Sequence, residues 1–466
     1  MPEAGKESIA MNTRLVKELT SLISKDKVLS RPEDLTCYSY DCSNYQNMPD
    51  AVVLADCRQD VVHTMTVAAK LKTPVVPRGS ATNNCGATIP VQGGIVLDTL
   101  SMNKILEIDK ENLTVTCQPG VITVELQAAV EKEGLFYPPD PQGLNMSSIG
   151  GNIALDAGGP RAVKYSVTRN YVLGLEIVLA NGQVLRTGGK TTKDVSGYNL
   201  TQLLVGSEGT LGVFTEMTLK LLPQPEAHRT LICAFDNIAD ASRTVTKIID
   251  HKIVPSMLEL LDRISVDLIQ RFMDAGYPSD AEAVLLIEVD GSLTDVDKQI
   301  DVVSRLCLEC NAREIKIAKN AAEAEVIWAG RKSGFAALSA YKPAVLPEDA
   351  VVPRNKLPDM MAKVQAISKK YGMLLPTFGH AGDGNVHPHI CFDPRNTEEA
   401  EKVPKIKDEI YQAALSLGGS ISGEHGIGLA KRHLIPTQHR ELNLGLMRGI
   451  KAVFDPDNIL NPGKAF

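Results

Sequence analysis

The sequence predicts an α+β protein built from two domains. Between about residues 50 and 222, short runs rich in β-branched residues alternate with segments of helical period. The segment LLPQPEAH, with Pro223 and Pro225, interrupts this alternation, which restarts beyond it. The 466 residues suffice for two or three domains, and 44% apolar and 23% charged residues are ordinary for a globular protein.

The elements of the N-terminal half follow from periodicity. The spacing of Leu15, Leu19, Leu22 and Ile23 predicts a first amphipathic helix. Strands are predicted at AVVLA, TPVVPRG, GGIVLD, KILEI, TVTCQPG and LGLEIVLA, and helices at VVHTMTVAAKLK and VITVELQAAVEKEG.

Beyond Pro225 the order of elements predicts a split β-α-β sandwich of ferredoxin-like type, with one sheet face covered by helices. Strands are predicted at TLICAF, SMLELL, AVLLIEVDG and REIKIA, and helices at 238–250, near 264–274 and at 294–310.

Composition excludes several classes of protein. A formal net charge of -7 argues against a nucleic-acid partner. The sequence contains no run of about eighteen apolar residues, so we expect no transmembrane helix. The N-terminal segment mixes both charge signs without an apolar core, so we expect no signal peptide and a cytoplasmic location. The nine scattered cysteines favour reduced thiols.

Histidines cluster in two C-terminal motifs, FGHAGDGNVHPH and SISGEHGIG. Neutral imidazole and carboxylate are ligands for a borderline divalent cation. His380 and His387 would face opposite ways in one plain strand, but the Gly-Asp-Gly-Asn between them indicates a tight turn that brings both together. Glu424 and His425 should point apart unless glycines bend the backbone. A glycine-rich hairpin with incidental histidines is the alternative.

A second clue is the loop PRGSATNNCGAT, which directly follows the predicted strand TPVV. Successive backbone N–H groups in such a loop suit a pyrophosphate, although the loop is neither a Rossmann fingerprint nor a Walker loop. Two further glycine-rich stretches, SSIGGNIALDAGG and LLVGSEGTLGVFTE, let backbone approach a large planar, phosphorylated ligand.

These motifs, with PPDPQ, KYSVTRNYVLGLEIVLANG and the closing NILNPGK, resemble the FAD-linked oxidase family typified by vanillyl-alcohol oxidase. GHAGDGNVH and GEHGIG are similar to the branch with glycolate oxidase catalytic subunits, D-lactate dehydrogenases and D-2-hydroxyglutarate dehydrogenases. The resemblance implies an FAD-binding domain over residues 1–223, a ferredoxin-like substrate-cap domain over 224–420, and a C-terminal segment, 421–466, that returns to the FAD domain.

The resemblance also implies which residues contact FAD. They are Pro77, Arg78, Gly79, Ser80, Ala81, Thr82, Asn83, Asn84, Pro141, Ser148, Gly150, Gly151, Asn152, Ala157, Gly158, Gly159, Glu208, Gly209, Val213 and Asn461. Ala81 stands where the family usually has glycine, and Asn84 where it usually has an apolar residue, which leaves the turn's geometry open. No histidine lies in 77–90, so we expect FAD to be non-covalent.

Oxidising a 2-hydroxy acid requires loss of a hydroxyl proton and transfer of a hydride to the flavin. We expect His425 to be the base, and His380, His387 and Glu424 to hold zinc, iron or manganese. The family pattern places the cation for the substrate carboxylate at Arg331, with Lys332 as the alternative.

The function expected from this resemblance is oxidation of D-lactate or a similar small D-2-hydroxy acid. Glycolate and D-2-hydroxyglutarate are the alternative substrates. A flavin-free metal-dependent hydrolase or metal-binding module is the alternative from another class. We expect electrons to leave for an acceptor protein such as an electron-transferring flavoprotein, and a homodimer is a further expectation.

Overall fold

The computed structural model describes residues 3–465, with side chains from residue 13 onward, and divides them into two compact units. The first contains the chain up to Ala157, Val167–Gln224 and the segment from Glu424 onward; the second contains Gly158–Ser166 and Pro225–Gly423. The excursion of 158–166 into the second unit was not predicted. It is held there because Lys164 Nζ donates to Asp290 O at 2.8 Å and Tyr165 Oη donates to Asp290 Oδ2 at 2.7 Å.

The helices are α1 Glu3–Leu22, α2 Pro32–Thr36, α3 Arg58–Leu71, α4 Thr123–Glu131, α5 Ile149–Leu155, α6 Ala162–Tyr165, α7 Leu200–Leu204, α8 Ile238–Asp250, α9 Arg263–Phe272, α10 Leu293–Glu309, α11 Ala321–Lys332, α12 Gly334–Tyr341, α13 Leu357–Tyr371, α14 Thr397–Ser416, α15 Ile435–Gln438 and α16 Glu441–Phe454. In the described part of the chain, none is long and apolar enough to cross a bilayer.

The strands are β1 Val28–Leu29, β2 Ala51–Leu54, β3 Val75–Arg78, β4 Ile95–Asp98, β5 Ile105–Asp109, β6 Thr114–Cys117, β7 Leu135–Phe136, β8 Val172–Val178, β9 Val184–Gly188, β10 Val213–Lys220, β11 Leu222–Pro223, β12 Ala227–Phe235, β13 Met257–Asp262, β14 Ala283–Gly291, β15 Glu314–Ile317, β16 Ala344–Pro347, β17 Ala350–Val351, β18 Thr377–His380 and β19 Asn385–Phe392.

The first unit contains a four-stranded sheet of order β1-β2-β4-β3 and a five-stranded antiparallel sheet of order β5-β6-β10-β8-β9. Strands β2, β4 and β3 are parallel and fully apolar at their centres, as expected for strands buried on both faces. Helix α1 buries Leu15 and Leu19, and Ile23 just beyond it is buried with them, as predicted. Leu22, predicted on the same face, is 47% exposed.

The C-terminal segment completes the first unit beside β3. Val75 N donates to Ile459 O, and Asn461 N donates to Val75 O, both at 2.7 Å. These bonds add a short piece of C-terminal chain to the edge of the parallel sheet, next to the strand that leads into the glycine-rich loop.

The second unit is built on an eight-stranded sheet. Its first four strands have the order β15-β12-β14-β13, all antiparallel, which is the predicted ferredoxin-like arrangement. Strands β18, β19 and β16 continue the sheet from β13, and β17 pairs with β19. The helix predicted at 238–250 has those bounds in the structure.

Helices cover both faces of this sheet, whereas the prediction placed them on one face only. Helices α8, α10, α13 and α14 pack on the face that contains Leu258 and Leu285. Helices α9, α11 and α12 pack on the opposite face, which contains Leu286 and Phe378. On that second face, polar side chains from β13, β18 and β19 lie in neighbouring strands, and they form the candidate site in this unit.

Candidate functional site

The glycine-rich loop of the first unit adopts the backbone expected of a phosphate-binding turn. Ala81 has φ +54°, a left-handed conformation that favours glycine. The alanine therefore adopts a backbone conformation that glycine adopts without strain. Ser80 Oγ is buried and has no hydrogen-bond partner among the described residues. A buried, unsatisfied hydroxyl in a glycine-rich loop fits a bound anionic ligand.

Close backbone approach brings the predicted segments together within this unit. A Cβ added to Gly79 would lie against Ser148 Oγ, and one added to Gly209 would lie 3.1 Å from Pro77 Cγ. Gly209 also has φ +70°, so a side chain there would be strained. Three segments that are distant in sequence thus meet around one loop.

Glu208 and Asn461 fasten the C-terminal segment to this region. The Glu208 carboxylate accepts hydrogen bonds from Ile427 N at 2.7 Å and Gly428 N at 2.8 Å. Asn461 Nδ2 donates to Ala87 O at 2.9 Å and to Glu208 O at 2.7 Å. These two side chains, predicted as FAD contacts, make hydrogen bonds within the protein that hold the loop containing Glu424 and His425.

Other predicted FAD residues have specific protein contacts. Asn83 Oδ1 accepts from Ala87 N at 2.9 Å, and Arg78 Nη1 donates to Tyr40 O at 2.8 Å. Asn152 Nδ2 donates to Thr123 Oγ1 at 2.7 Å. Among the remaining predicted FAD residues, Val213 is buried in the core, and Pro141, Thr82 and Asn84 are partly buried. Gly150 packs against Pro119, and Gly151 N donates a hydrogen bond to Ser148 Oγ. Ala157 is the last residue of its segment of the first unit, whereas Gly158 and Gly159 belong to the second unit.

In the second unit, His380 and His387 lie on the two strands of a hairpin. Strands β18 and β19 are antiparallel, and Gly384 in the connecting turn has φ +84°. His380 is paired with Asn385, and His387 with Phe378, so both histidines project from the same face. Their ring centroids are 5.1 Å apart. The prediction that the turn brings both rings together is confirmed within this unit.

The hydrogen bonds of the two rings identify their protonated nitrogens. His380 Nδ1 lies 2.6 Å from Glu259 Oε1, and His387 Nδ1 lies 3.1 Å from the carbonyl oxygen of Glu348. An ionised carboxylate and a carbonyl oxygen only accept hydrogen bonds, so each Nδ1 must be the donor. In the neutral rings, both Nε2 atoms are then electron-pair donors.

Arg331 is engaged by the same carboxylate. Its Nε and Nη2 atoms both lie 2.7 Å from Glu259 Oε2, and its side chain is 5% exposed. Burial by itself would raise the pKa of Glu259, but the neighbouring His380 and Arg331, through electrostatic interaction and hydrogen bonds, lower it to about 2. Lys332, the alternative cation, is exposed.

His389 packs inside the second unit. Its ring centroid is 4.2 Å from that of Phe378, and its Nδ1 lies 3.3 Å from Pro376 O. Burial, together with the nearby His387 and Arg331, lowers the pKa of His389 well below its ordinary value. The ring is therefore neutral at physiological pH.

The motif SGEHGIG spans the division between the units. Gly423 N donates to both oxygens of Asp349, at 3.0 and 2.9 Å, within the second unit. In the first unit, His425 Nε2 lies 3.7 Å from Glu424 Oε1, and Gly426 has φ +81°. The two adjacent side chains approach each other and do not point apart, which is the exception anticipated from the sequence.

Sequence reasoning missed Glu259 and Asp349. Glu259 is the one charged residue within the apolar run SMLELL, and a buried strand tolerates a carboxylate only when it is paired. That lone charge was a usable signal. Asp349 had no comparable signal, because PEDAVVP reads as an ordinary acidic loop.

Comparison with known proteins matches two parts of the chain to families. The family described as "FAD binding domain" matches residues 49–188, and the family "FAD linked oxidases, C-terminal domain" matches residues 224–465. The glycolate oxidase subunit GlcD of Bacillus subtilis is 47% identical over 92% of this chain and 92% of its own length. The GlcD subunit of Escherichia coli K12 is 36% identical over 100% and 92%, and a D-lactate dehydrogenase of Anaerostipes hadrus is 37% identical over 89% of each.

Solved structures agree on the fold. p-Cresol methylhydroxylase with bound substrate has a TM-score of 0.83 at 18% identity, covering 98% of this chain and 96% of that one. A 4-ethylphenol oxidase from Gulosibacter chungangensis has a TM-score of 0.78 at 18% identity, covering 98% and 97%. These structures show the fold alone, whereas the two family matches and the relatives above show that the chain belongs to the FAD-linked oxidases, as an FAD-binding oxidoreductase of the branch that includes glycolate oxidase subunits and D-lactate dehydrogenases.

Proposed function

We propose that this protein oxidises a small 2-hydroxy acid, D-lactate or glycolate, to the 2-oxo acid. The observation that carries the proposal is the pair of buried histidines, His380 and His387, whose Nδ1–H groups are both engaged by protein oxygens. Two oriented Nε2 donors suit a site that handles an oxygen-rich substrate. Glycolate is proposed as a candidate substrate together with D-lactate because the Bacillus subtilis relative is named a glycolate oxidase subunit.

FAD, when bound, supplies the acceptor for the hydride that leaves the substrate's C2 atom. The residues that would hold it are the loop from Gly79 to Asn84, with Ser148 and Gly209 closing around that loop. Ser80 Oγ, buried without a partner among the described residues, would donate to the ligand. The absence of histidine in 77–90 supports non-covalent binding.

His425 is proposed as the general base that removes the hydroxyl proton at a ring nitrogen. Its support is chemical, since imidazole titrates near neutral pH, and structural, since Glu208 fixes the backbone two and three residues further on. Such anchoring limits the motion of the loop and favours a single orientation of the ring.

A divalent cation is proposed on His380, His387 and Glu424, with zinc, iron and manganese as candidates. The donor set fits, because two imidazole Nε2 atoms and a carboxylate are common zinc ligands. Glu424 follows Gly423 directly in sequence, and Gly423 N is held by Asp349. The cation would supply positive charge beside the substrate's oxygens.

Arg331 is proposed to attract the substrate carboxylate. Glu259 takes its Nε and Nη2 atoms, which leaves Nη1 for a second acceptor. Lys332 remains the alternative because its exposed ammonium group is available to any anion.

Electrons are proposed to leave for an external acceptor such as an electron-transferring flavoprotein. The support is that no group of four cysteines lies together in residues 13–465, so an iron–sulfur relay within this part of the chain is not expected. The flavin-free hydrolase considered from the sequence is wrong, since the chain belongs to the FAD-linked oxidases.

The test is turnover with an artificial dye acceptor and a substrate panel of D-lactate, L-lactate, glycolate and D-2-hydroxyglutarate. We expect D-lactate or glycolate to give the highest kcat/KM, and chelation to abolish turnover. Fastest turnover with D-2-hydroxyglutarate would contradict the proposed substrate size. An active enzyme without stoichiometric metal by elemental analysis would contradict the cation proposal.

A further inference from the structure

Glu259 is a fully buried carboxylate near the middle of an eight-stranded sheet. It lies on β13 between the buried Leu258 and Leu260, and its own exposure is 0%. Burying a charge is unfavourable unless charged partners and hydrogen bonds offset the lost hydration. A carboxylate in this place therefore calls for an explanation beyond packing.

Its two oxygens have different partners. Oε2 accepts from Arg331 Nε and Nη2, and Oε1 accepts from His380 Nδ1 at 2.6 Å. Glu259 and His380 are directly paired across β13 and β18, so the backbone register sets their separation. Arg331 in turn stacks on Phe378, with its guanidinium carbon 4.5 Å from the ring centroid.

We infer that Glu259 is a positioning residue that fixes His380 as its Nδ1–H tautomer and so presents Nε2 as an electron-pair donor. Arg331 holds the second carboxylate oxygen and prevents the Glu259 side chain from rotating away. This inference rests on the proposed function only in assigning His380 to the reaction site. The tautomer itself follows from the contacts and can be measured without turnover.

The same sheet face offers a matched control, Glu288 on β14. Glu288 is also buried, at 8% exposure, and lies one strand from Glu259, opposite Met257. Its carboxylate accepts from the hydroxyls of Thr230 and Ser256, at 3.1 and 3.2 Å. Glu288→Gln thus replaces a buried carboxylate of the same sheet whose hydrogen bonds come from two hydroxyl groups.

The experiment is ¹⁵N NMR of the FAD-loaded, full-length protein carrying ring-labelled histidine, after dialysis against a chelator. Protonated and unprotonated ring nitrogens have well-separated shifts, and His380→Asn identifies the His380 signals among the nine histidines. We expect the wild type to show a protonated Nδ1 and an unprotonated Nε2 on His380. An unprotonated Nδ1 in the wild type would overturn the inference without any variant.

In Glu259→Gln, the side-chain amide has one oxygen to accept hydrogen bonds from both Arg331 and His380. Part of the His380 population should therefore move its ring proton from Nδ1 to Nε2. In Glu288→Gln the His380 signals should stay as in the wild type. An unchanged His380 tautomer in Glu259→Gln, or an equal change in Glu288→Gln, would refute a positioning role.

Turnover separates this inference from the proposed function. We expect Glu259→Gln to lose about tenfold to a hundredfold in kcat, the usual effect of changing a residue that orients a ligand histidine, while Glu288→Gln keeps near wild-type kcat. If no 2-hydroxy acid is oxidised, the proposed function fails and the tautomer measurement still decides the role of Glu259. If Glu259→Gln turns over at the wild-type rate, the positioning role fails alone.

Discussion

Arg331 is surrounded by protein, and its guanidinium neutralises a carboxylate that has no access to solvent. The family pattern indicated a cation for the substrate at this position, but periodicity alone does not reveal a partner 72 positions earlier in the sequence. The residue therefore has a structural role as well as the proposed substrate role. The two roles predict different losses and can be measured separately.

Arg331→Leu should destabilise the second unit by about 3–5 kcal/mol, because it removes the guanidinium that neutralises buried Glu259 and leaves that carboxylate only its hydrogen bond from His380. Urea unfolding measures this loss. KM for the 2-hydroxy acid should also rise at temperatures where the variant is folded. Lys332→Leu is the matched control at an exposed neighbour and should change neither quantity. Equal effects of both substitutions would remove Arg331 from both roles.

His425→Asn should slow flavin reduction in a single turnover by about a hundredfold to ten-thousandfold, the usual contribution of general-base catalysis. Asparagine keeps a hydrogen-bonding side chain of similar reach but accepts no proton. FAD content should stay at the wild-type level, which the flavin spectrum checks. His433→Asn, at an exposed histidine of the same C-terminal segment, should reduce its flavin at the wild-type rate. A fast His425→Asn variant would show that another group takes the proton.

At the scale of elements, turns were the best guide to the site. The glycines between His380 and His387 predicted a hairpin, and β18 and β19 form it with Gly384 at φ +84°. The conformation of Ala81 was not predictable, because alanine gives no local signal for a positive φ. Ala81 and Cys85 are both buried, so packing around the loop holds this conformation.

Gly79→Val should yield protein that purifies largely without flavin. The branched side chain would occupy the space of Ser148 Oγ and push the loop away from its partner segment. The ratio of flavin to protein absorbance measures the loss. Gly189→Val places the same side chain where nothing lies within 4 Å, and it should retain its flavin. Full flavin occupancy in Gly79→Val would rule out this loop as the FAD cradle.

At the scale of the whole molecule, long-range pairings were the part that the sequence did not reveal. The first four strands of the second unit were predicted from alternation, yet β18, β19 and β16 extend that sheet through contacts far apart in sequence. The same limit applies to 158–166, whose place in the second unit depends on Asp290. Local periodicity indicates the elements, whereas their partners depend on packing that no single segment encodes.

Lys464 joins the C-terminal tail to the rest of the first unit. It should make the free energy of unfolding vary with pH in the alkaline range. Its Nζ donates to Ile89 O at 2.5 Å and Asn461 Oδ1 at 3.0 Å, and burial lowers its pKa from 10.5 to about 8. The unfolded chain therefore binds more protons than the folded chain between about pH 8 and 10.5, so this group's contribution to stability rises with pH across that window.

The shift from 10.5 to about 8 corresponds to roughly 3.5 kcal/mol at most, at about 1.4 kcal/mol for each pH unit. Lys464→Met keeps the apolar stem and removes the titrating group. The unfolding free energy of the wild type minus that of the variant should increase between pH 7.5 and 10. A difference that stays constant, or falls, over this range would contradict the burial of a charged Lys464.

Anaerobic mixing of the purified, FAD-loaded protein with D-lactate, L-lactate and glycolate tests the proposed activity most directly. Loss of the oxidised-flavin absorbance reports the chemical step without any assumption about the electron acceptor. The flavin should be reduced by D-lactate or glycolate and should remain oxidised with L-lactate. An oxidised flavin after mixing with each of the three acids would contradict the proposal that this protein is a small 2-hydroxy-acid dehydrogenase.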